Sequence, residues 1–308
     1  MTSPVTAVRA AVQRRGGRNS RSGRTVRALP YLIPALGLLV LFTYVPVVNM
    51  VYYSFTDWDG LTTQLHVVGL DNYVTVATDP RYWKIFTVSL YYFVASFVQI
   101  ALALYFATVL SFQTRLRNFF KGVLFFPYLL NGVAIGFVFL YLFQPGGTLD
   151  SVLGAVHLGG LSQQWLGNPD IANVSLAATS VWRFMGLNFV LFLGAIQSIS
   201  PELYEAAELD GAGRWNQFRY IIAPGIKRII SLSVILAISG SLSVFEIPFI
   251  MTGGANGTST FVIETVQTAF SFRKIGLASA LATVLMLVVI VVTVVQRVLV
   301  PDDEVDLV

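Results

Sequence analysis

The sequence predicts an all-α membrane protein with six transmembrane helices. Three observations predict it. Of 308 residues, 55% are hydrophobic and 12% charged, where an ordinary soluble domain carries about 25% charged residues. The mean hydropathy is +0.70, which leaves too little polar surface to cover a water-soluble globule of 33.8 kDa. The apolar residues also gather into long runs without alternation, such as LATVLMLVVIVVTVV from Leu281. Strands of a transmembrane barrel would alternate every second residue, so these runs are helices.

A helix needs about 20 predominantly apolar residues to cross about 30 Å of hydrocarbon. Read between charges, the spans cover residues 29–53, 85–112, 122–143, 174–199, 229–251 and 276–295. Pro34, Pro46, Pro127 and Pro248 fall inside them and predict kinks. The polar residues Gln99, Asn131, Asn188 and Gln197 are expected to bond to neighbouring helices.

Lys and Arg set the orientation, because short basic loops stay in the cytoplasm. Arg9, Arg14, Arg15, Arg18, Arg21, Arg24 and Arg27 precede the first span, and Arg115, Arg117 and Lys121 follow the second. Arg214, Arg219, Lys227 and Arg228 follow the fourth, and Arg297 ends the sixth. The opposite side holds Arg81, Lys84, Arg273 and Lys274. Both termini are therefore expected in the cytoplasm. The organisation that follows is a basic arm at 1–28, a six-span domain at 29–300 and an acidic tail at 301–308. The pI near 9.3 reports this topology, not a nucleic-acid partner. Lipid is the surrounding solvent.

The chain has no Cys and only His66 and His157. Thiolate metal sites and Cys nucleophiles are excluded, and imidazole chemistry is nearly so. It lacks a GxxxxGK[ST] phosphate cradle, and the GGANG run at Gly253 to Gly257 has no following Lys. HExxH and GxSxG are absent as well. A transport subunit rather than an enzyme is expected, with no metal or cofactor of its own, and its energy must come from another chain.

Two features carry chemistry. The first is the segment after the fourth span, SPELYEAAELDGAGRWNQFRYIIAPGIKR from Ser200 to Arg228. Ser200 is placed to cap a helix that opens on Pro201, with Glu202 and Glu205 complementing its positive end. That helix runs to about Leu209, Asp210-Gly211 supplies a turn, and a second helical stretch runs from Ala212 until Pro224 interrupts it. Such an elbow is a docking surface or an amphipathic segment lying on headgroups. The second feature is a pair of charges inside spans, Arg183 and Glu246. Each costs about 2.5–3.5 kcal/mol at a membrane centre. Three arrangements satisfy them: a mutual ion pair, separate reach to an interface, or the wall of a solute cavity.

The elbow resembles the EAA signature of permease subunits in binding-protein-dependent ABC importers. It has Glu205-Ala206-Ala207, then Asp210-Gly211-Ala212, then Ile221-x-x-Pro224, with Ala223 in place of the usual Leu. The resemblance covers nearly the whole chain and is closest to the carbohydrate-uptake group, whose members import maltose, other oligosaccharides or glycerol phosphate. TDWDG, GLDNY and DPRYW are similar to that group's first periplasmic segment. VWRFMGLNFVLFLGAIQSISPELYEAA is similar to its approach to the elbow. MTGGANGTST is similar to its glycine-rich loop, with Ala255-Asn256 in place of Gly-Pro.

The resemblance implies a type I ABC importer permease fold with a cytoplasmic coupling helix, in a bacterial or archaeal cytoplasmic membrane. It implies a second permease subunit, an extracytoplasmic solute-binding protein, and an ATPase dimer that binds ATP and Mg. Contact with the ATPase falls to Glu205, Ala206, Ala207, Asp210, Gly211, Ala212 and Pro224. The sugar path falls to Trp182, Arg183 and Phe184 before the elbow and Ser241, Val244 and Glu246 after it. An Arg in that path also suits a phosphate-bearing solute. The alternative is an ATP-independent carrier or channel. That needs an ion or proton path, which one membrane Glu without membrane His or Asp hardly provides.

Overall fold

The computed structural model describes residues 32–112 and 117–299. The expected basic arm at 1–28 and acidic tail at 301–308 lie outside them. Among the described residues every regular element is helical, and one isolated bridge joins Thr56 to Val67. The chain divides into two units at Tyr52 and Tyr53. The described part of the first, residues 32–52, is all but the last residue of helix α1, Leu32–Tyr53, which is long and apolar enough to cross a membrane. It widens into a π-turn at Val40–Tyr44.

The second unit holds the other helices. α2 is Asp71–Thr78, α3 is Pro80–Ser111, α4 is Arg117–Leu129, α5 is Gly132–Phe143 and α6 is Thr148–Ala155. α7 is Pro169–Gln197, α8 is Pro201–Leu209, and α9 is a composite run over 214–225. α10 is Lys227–Leu242, α11 is Glu246–Thr252, α12 is Phe261–Val266 and α13 is Ile275–Leu299. Helix starts obey local chemistry. Asp79 caps α3 by accepting from Arg81 N with Pro80 at the first position, and Asn168 caps α7 the same way ahead of Pro169.

Among the described residues five helical stretches are each long and apolar enough to cross a membrane, and there are six where the bent pair α4 and α5 counts as one span. That pair departs from the expected continuous span at 122–143, since its halves meet at 99°. Pro127 removes one backbone donor inside α4. The break itself comes at Leu130 and Asn131. Asn131 is extended (φ −62°, ψ 135°), and its side-chain oxygen accepts from Val133 N, so a new helix starts there. Asn131 is thus a helix cap rather than the interhelical partner expected of it.

The most extensive packing joins α3 to α7, and α4 and α10 pack onto the same pair. Ile100, Ala103, Ala107 and Leu110 form one face of α3 at helical spacing. The two alanines are fully buried and admit Phe189 and Phe192 of α7, also fully buried. A second cluster around Ile85, Phe261 and Leu281 joins α3, α12 and α13. A third around Val88, Leu176, Ile247 and Met251 joins α3, α7 and α11.

Gly186 marks where α7 meets α4. A Cβ there would lie 2.5 Å from Leu124 O and 3.1 Å from Phe125 Cα, backbone atoms that cannot step aside. Gly194, two turns on, faces open space. Gly186→Ala is expected to lower stability by about 1–3 kcal/mol, whereas Gly194→Ala is expected to be neutral or to gain up to about 1 kcal/mol. Thermal unfolding of the detergent-solubilised assembly measures both.

Candidate functional site

A cavity of about 620 Å³ opens between α3, α7, α10 and the start of α11. Its apolar wall includes Phe184, Leu236, Val244 and Phe245. Polar residues enter at helical spacing: Tyr92, Ser96 and Gln99 from α3, and Ser180, Arg183 and Asn188 from α7. Ser233 and Ser241 come from α10, and Ser243 and Glu246 from the following break.

Much of this polarity is uncommitted. The hydroxyls of Ser96, Ser180 and Ser241 donate to Phe93, Leu176 and Ile238 carbonyls, which leaves their oxygens free to accept. Tyr92 Oη, Ser233 Oγ and Arg183 Nε are buried without a partner among the described residues. A buried polar group without a partner costs about 1–3 kcal/mol. The lining therefore favours a guest that supplies hydroxyl donors and acceptors.

Arg183 and Glu246 meet at 2.6 Å between Nη1 and Oε2. Of the three open arrangements the structure has the ion pair, and both partners also line the cavity. The Arg183 guanidinium lies over the Phe184 ring at 4.8 Å. The pair seats on Gly132, the first residue of α5, where any Cβ would collide with both partners. One turn on, a Cβ at Gly136 would lie 2.7 Å from Ile250 Cγ2. Two glycines thus let α5 press against Glu246 and Ile250 of α11.

The elbow is a second site. α8 ends in a Schellman cap: Gly211 N donates to Glu208 O at 3.0 Å and Ala212 N to Ala207 O at 2.8 Å. Gly211 holds φ +77°, a conformation that suits glycine. Ser200 occupies the cap position of α8, but its side chain makes no cap hydrogen bond. Pro224 does not interrupt the second stretch either. A π-turn at Phe218–Ile222 precedes it, the helix continues through Ala223–Gly225, and the break comes at Ile226. Glu205, Ala206, Asp210, Gly211 and Pro224 are exposed, and Ala207 and Ala212 are half-buried. Leu203, Leu209, Trp215 and Tyr220 add a strongly exposed apolar set, with Leu209 at 89%.

The family model described as "binding-protein-dependent transport system inner membrane component" matches residues 99–302. The chain belongs to this family. It is similar to the probable ABC transporter permease protein YurN of Bacillus subtilis, 34% identical over 88% of this chain and 95% of that protein. It is also similar to the multiple sugar-binding transport system permease protein MsmF of Streptococcus mutans. The identity there is 32%, over 86% of this chain and 92% of that protein. A solved bacterial alginate ABC transporter, in complex with an alginate pentasaccharide-bound periplasmic protein, shares the fold. Its TM-score is 0.79 at 18% identity, over 90% of this chain and 94% of that one. The chain therefore has the type I ABC importer permease fold and is a multi-pass inner-membrane transport subunit.

Of the six path residues named from the permease sequence, Arg183, Phe184, Ser241, Val244 and Glu246 line one cavity. Trp182 is not in that lining; its ring packs on Phe139 of α5, centroids 5.1 Å apart. Sequence reasoning missed Tyr92, Ser96, Ser180, Ser233 and Ser243, and it read Gln99 and Asn188 as helix-to-helix partners. The signal was present in the permease's second span, where Tyr92, Ser96 and Gln99 recur at i, i+4 and i+7 within an apolar helix.

The seat at Gly132 is testable by a double-mutant cycle. Gly132→Ala is expected to displace the pair and destabilise the permease. In an Arg183→Ala, Glu246→Ala background, which removes both colliding side chains, the same change is expected to be near neutral, giving a coupling of at least about 0.5 kcal/mol. Thermal midpoints of the four proteins give that energy.

Proposed function

We propose that this permease forms half of the solute path of an ATP-driven sugar or oligosaccharide importer. A second permease subunit completes the path, and an extracytoplasmic binding protein delivers the sugar. A separate ATPase dimer, holding ATP and Mg, grips the 200–224 elbow. The termini and the elbow lie in the cytoplasm, with 1–28 as a basic arm, 29–300 as the six-span domain and 301–308 as an acidic tail.

The observation that carries this reading is the cavity, which gathers residues from both sides of the elbow and keeps hydroxyl and amide groups unspent. Aromatic and aliphatic walls suit the apolar faces of sugar rings, and the polar groups suit their hydroxyls. The relatives' names supply the solute class, since MsmF is named for multiple-sugar transport. Arg183, Phe184, Ser241, Val244 and Glu246 face the solute in this reading, and Trp182 braces them from behind. At the elbow, Glu205, Ala206, Asp210, Gly211 and Pro224 present the docking face, while Ala207 and Ala212 hold the cap. Rigid-body movement of that elbow by closing ATPases would switch access to the cavity.

Two groups of variants test the division of labour. Gly211→Pro cannot adopt φ +77°, and Glu205→Lys reverses a docking charge. Each is expected to weaken ATPase association at least about tenfold, as removal of an interface hot spot does. Glu246→Ala and Arg183→Ala are expected to change transport or stimulated ATP hydrolysis while the ATPase stays bound. Co-purification and uptake into reconstituted vesicles read both. ATPase association intact in the elbow variants, or uphill accumulation by this chain alone, would overturn the proposal.

A further inference from the structure

We infer that the Arg183–Glu246 pair adapts this cavity to an uncharged, hydroxyl-rich solute and turns away anionic sugars such as uronates and sugar phosphates. The inference rests on the sugar-importer reading above.

The lining contains two charged side chains, Arg183 and Glu246, and their formal charges cancel. They are not equally presented. The Arg183 side chain is 15% exposed and that of Glu246 is 52% exposed. The guanidinium is bonded through Nη1 to the Glu246 carboxylate and lies over the Phe184 ring. A solute therefore meets a carboxylate oxygen with spare lone pairs, which accepts from sugar hydroxyls. An anion meets a charge of its own sign. A phosphate or carboxylate that approaches the guanidinium meets the Glu246 carboxylate bonded to Nη1, and displacing it would strand that carboxylate unpaired, which is costly in a low-dielectric wall. Gly132 secures this arrangement, because α5 approaches so closely that a side chain there would strike both partners.

The chain contains no cysteine, so Ser243→Cys places a single thiol of this subunit in the cavity wall, at an exposed position. In the assembled transporter in proteoliposomes, two thiol probes of opposite charge report the local potential: anionic methanethiosulfonate ethylsulfonate and cationic methanethiosulfonate ethyltrimethylammonium. Rates are scaled to those with free mercaptoethanol, and modification of this chain is followed by mass. With the pair intact the cation is expected to react faster. Adding Glu246→Gln uncovers Arg183 and is expected to raise the anion-to-cation rate ratio about tenfold or more. Replacing both charges with Gln is expected to return the scaled ratio to within about twofold of unity, because no local charge remains.

Where Glu246→Gln alone fails to assemble, the exchanged pair Arg183→Glu with Glu246→Arg carries the same test. It presents the guanidinium and is expected to invert the ratio toward the anion. A ratio that favours the anion with the native pair, or that ignores Glu246→Gln and the exchange, overturns the inference. Absence of reaction with either probe overturns the importer reading as well, so the two failures are distinguishable.

Discussion

A guanidinium on α7 and a carboxylate on α11 depend on each other, and the surrounding helices are arranged around their meeting. Each charge alone costs about 2.5–3.5 kcal/mol at membrane depth. Their contact fixes the distance between two helices separated by the whole elbow in sequence. Glu246 opens α11, so its carboxylate also lies at a positive helix end. α5 starts at Gly132 against the same two side chains. The breaks at 130–131 and 243–245 thus converge on one ion pair, and the second of them lines the cavity. Irregular backbone at this depth is acceptable only where protein or a wet cavity surrounds it.

The molecule separates tight packing from open polarity along the same helices. The face of α3 that carries Ala103 and Ala107 is closed by Phe189 and Phe192. One to three turns earlier, Tyr92, Ser96 and Gln99 line space instead. One cluster gives the second unit its rigidity, and the other gives it a place for a guest. The glycine-rich loop belongs to the rigid part. Gly257 O accepts from Asn173 Nδ2, and Asn256 Nδ2 donates to Leu166 O, which fastens the loop beside the start of α7.

Spans were legible because hydropathy integrates over about 20 residues and tolerates local error. Helix breaks were not, because they turn on single side chains. Pro127 announced a kink, yet Asn131 sets the break by capping its successor helix. Pro224 announced a stop, yet the wider π-turn before it carries the helix on to Gly225. The two membrane charges were legible as a cost without an address. Their pairing depends on tertiary structure bringing residues 63 positions apart together. The elbow was the most legible part, since its turn depends on Gly211 and a backbone pattern local to six residues. The polar stripe on α3 was also written at helical period, but it reads equally well as interhelical hydrogen bonding until a cavity lies beside it.

The Schellman cap has a consequence for how such elbows diversify. Its fastening uses two backbone hydrogen bonds and one glycine, so none of the outward side chains at 202, 205, 208 and 209 is needed to hold the shape. The handle and its surface lettering are chemically independent. A lineage can rewrite the lettering to suit a different engine while the handle keeps its form.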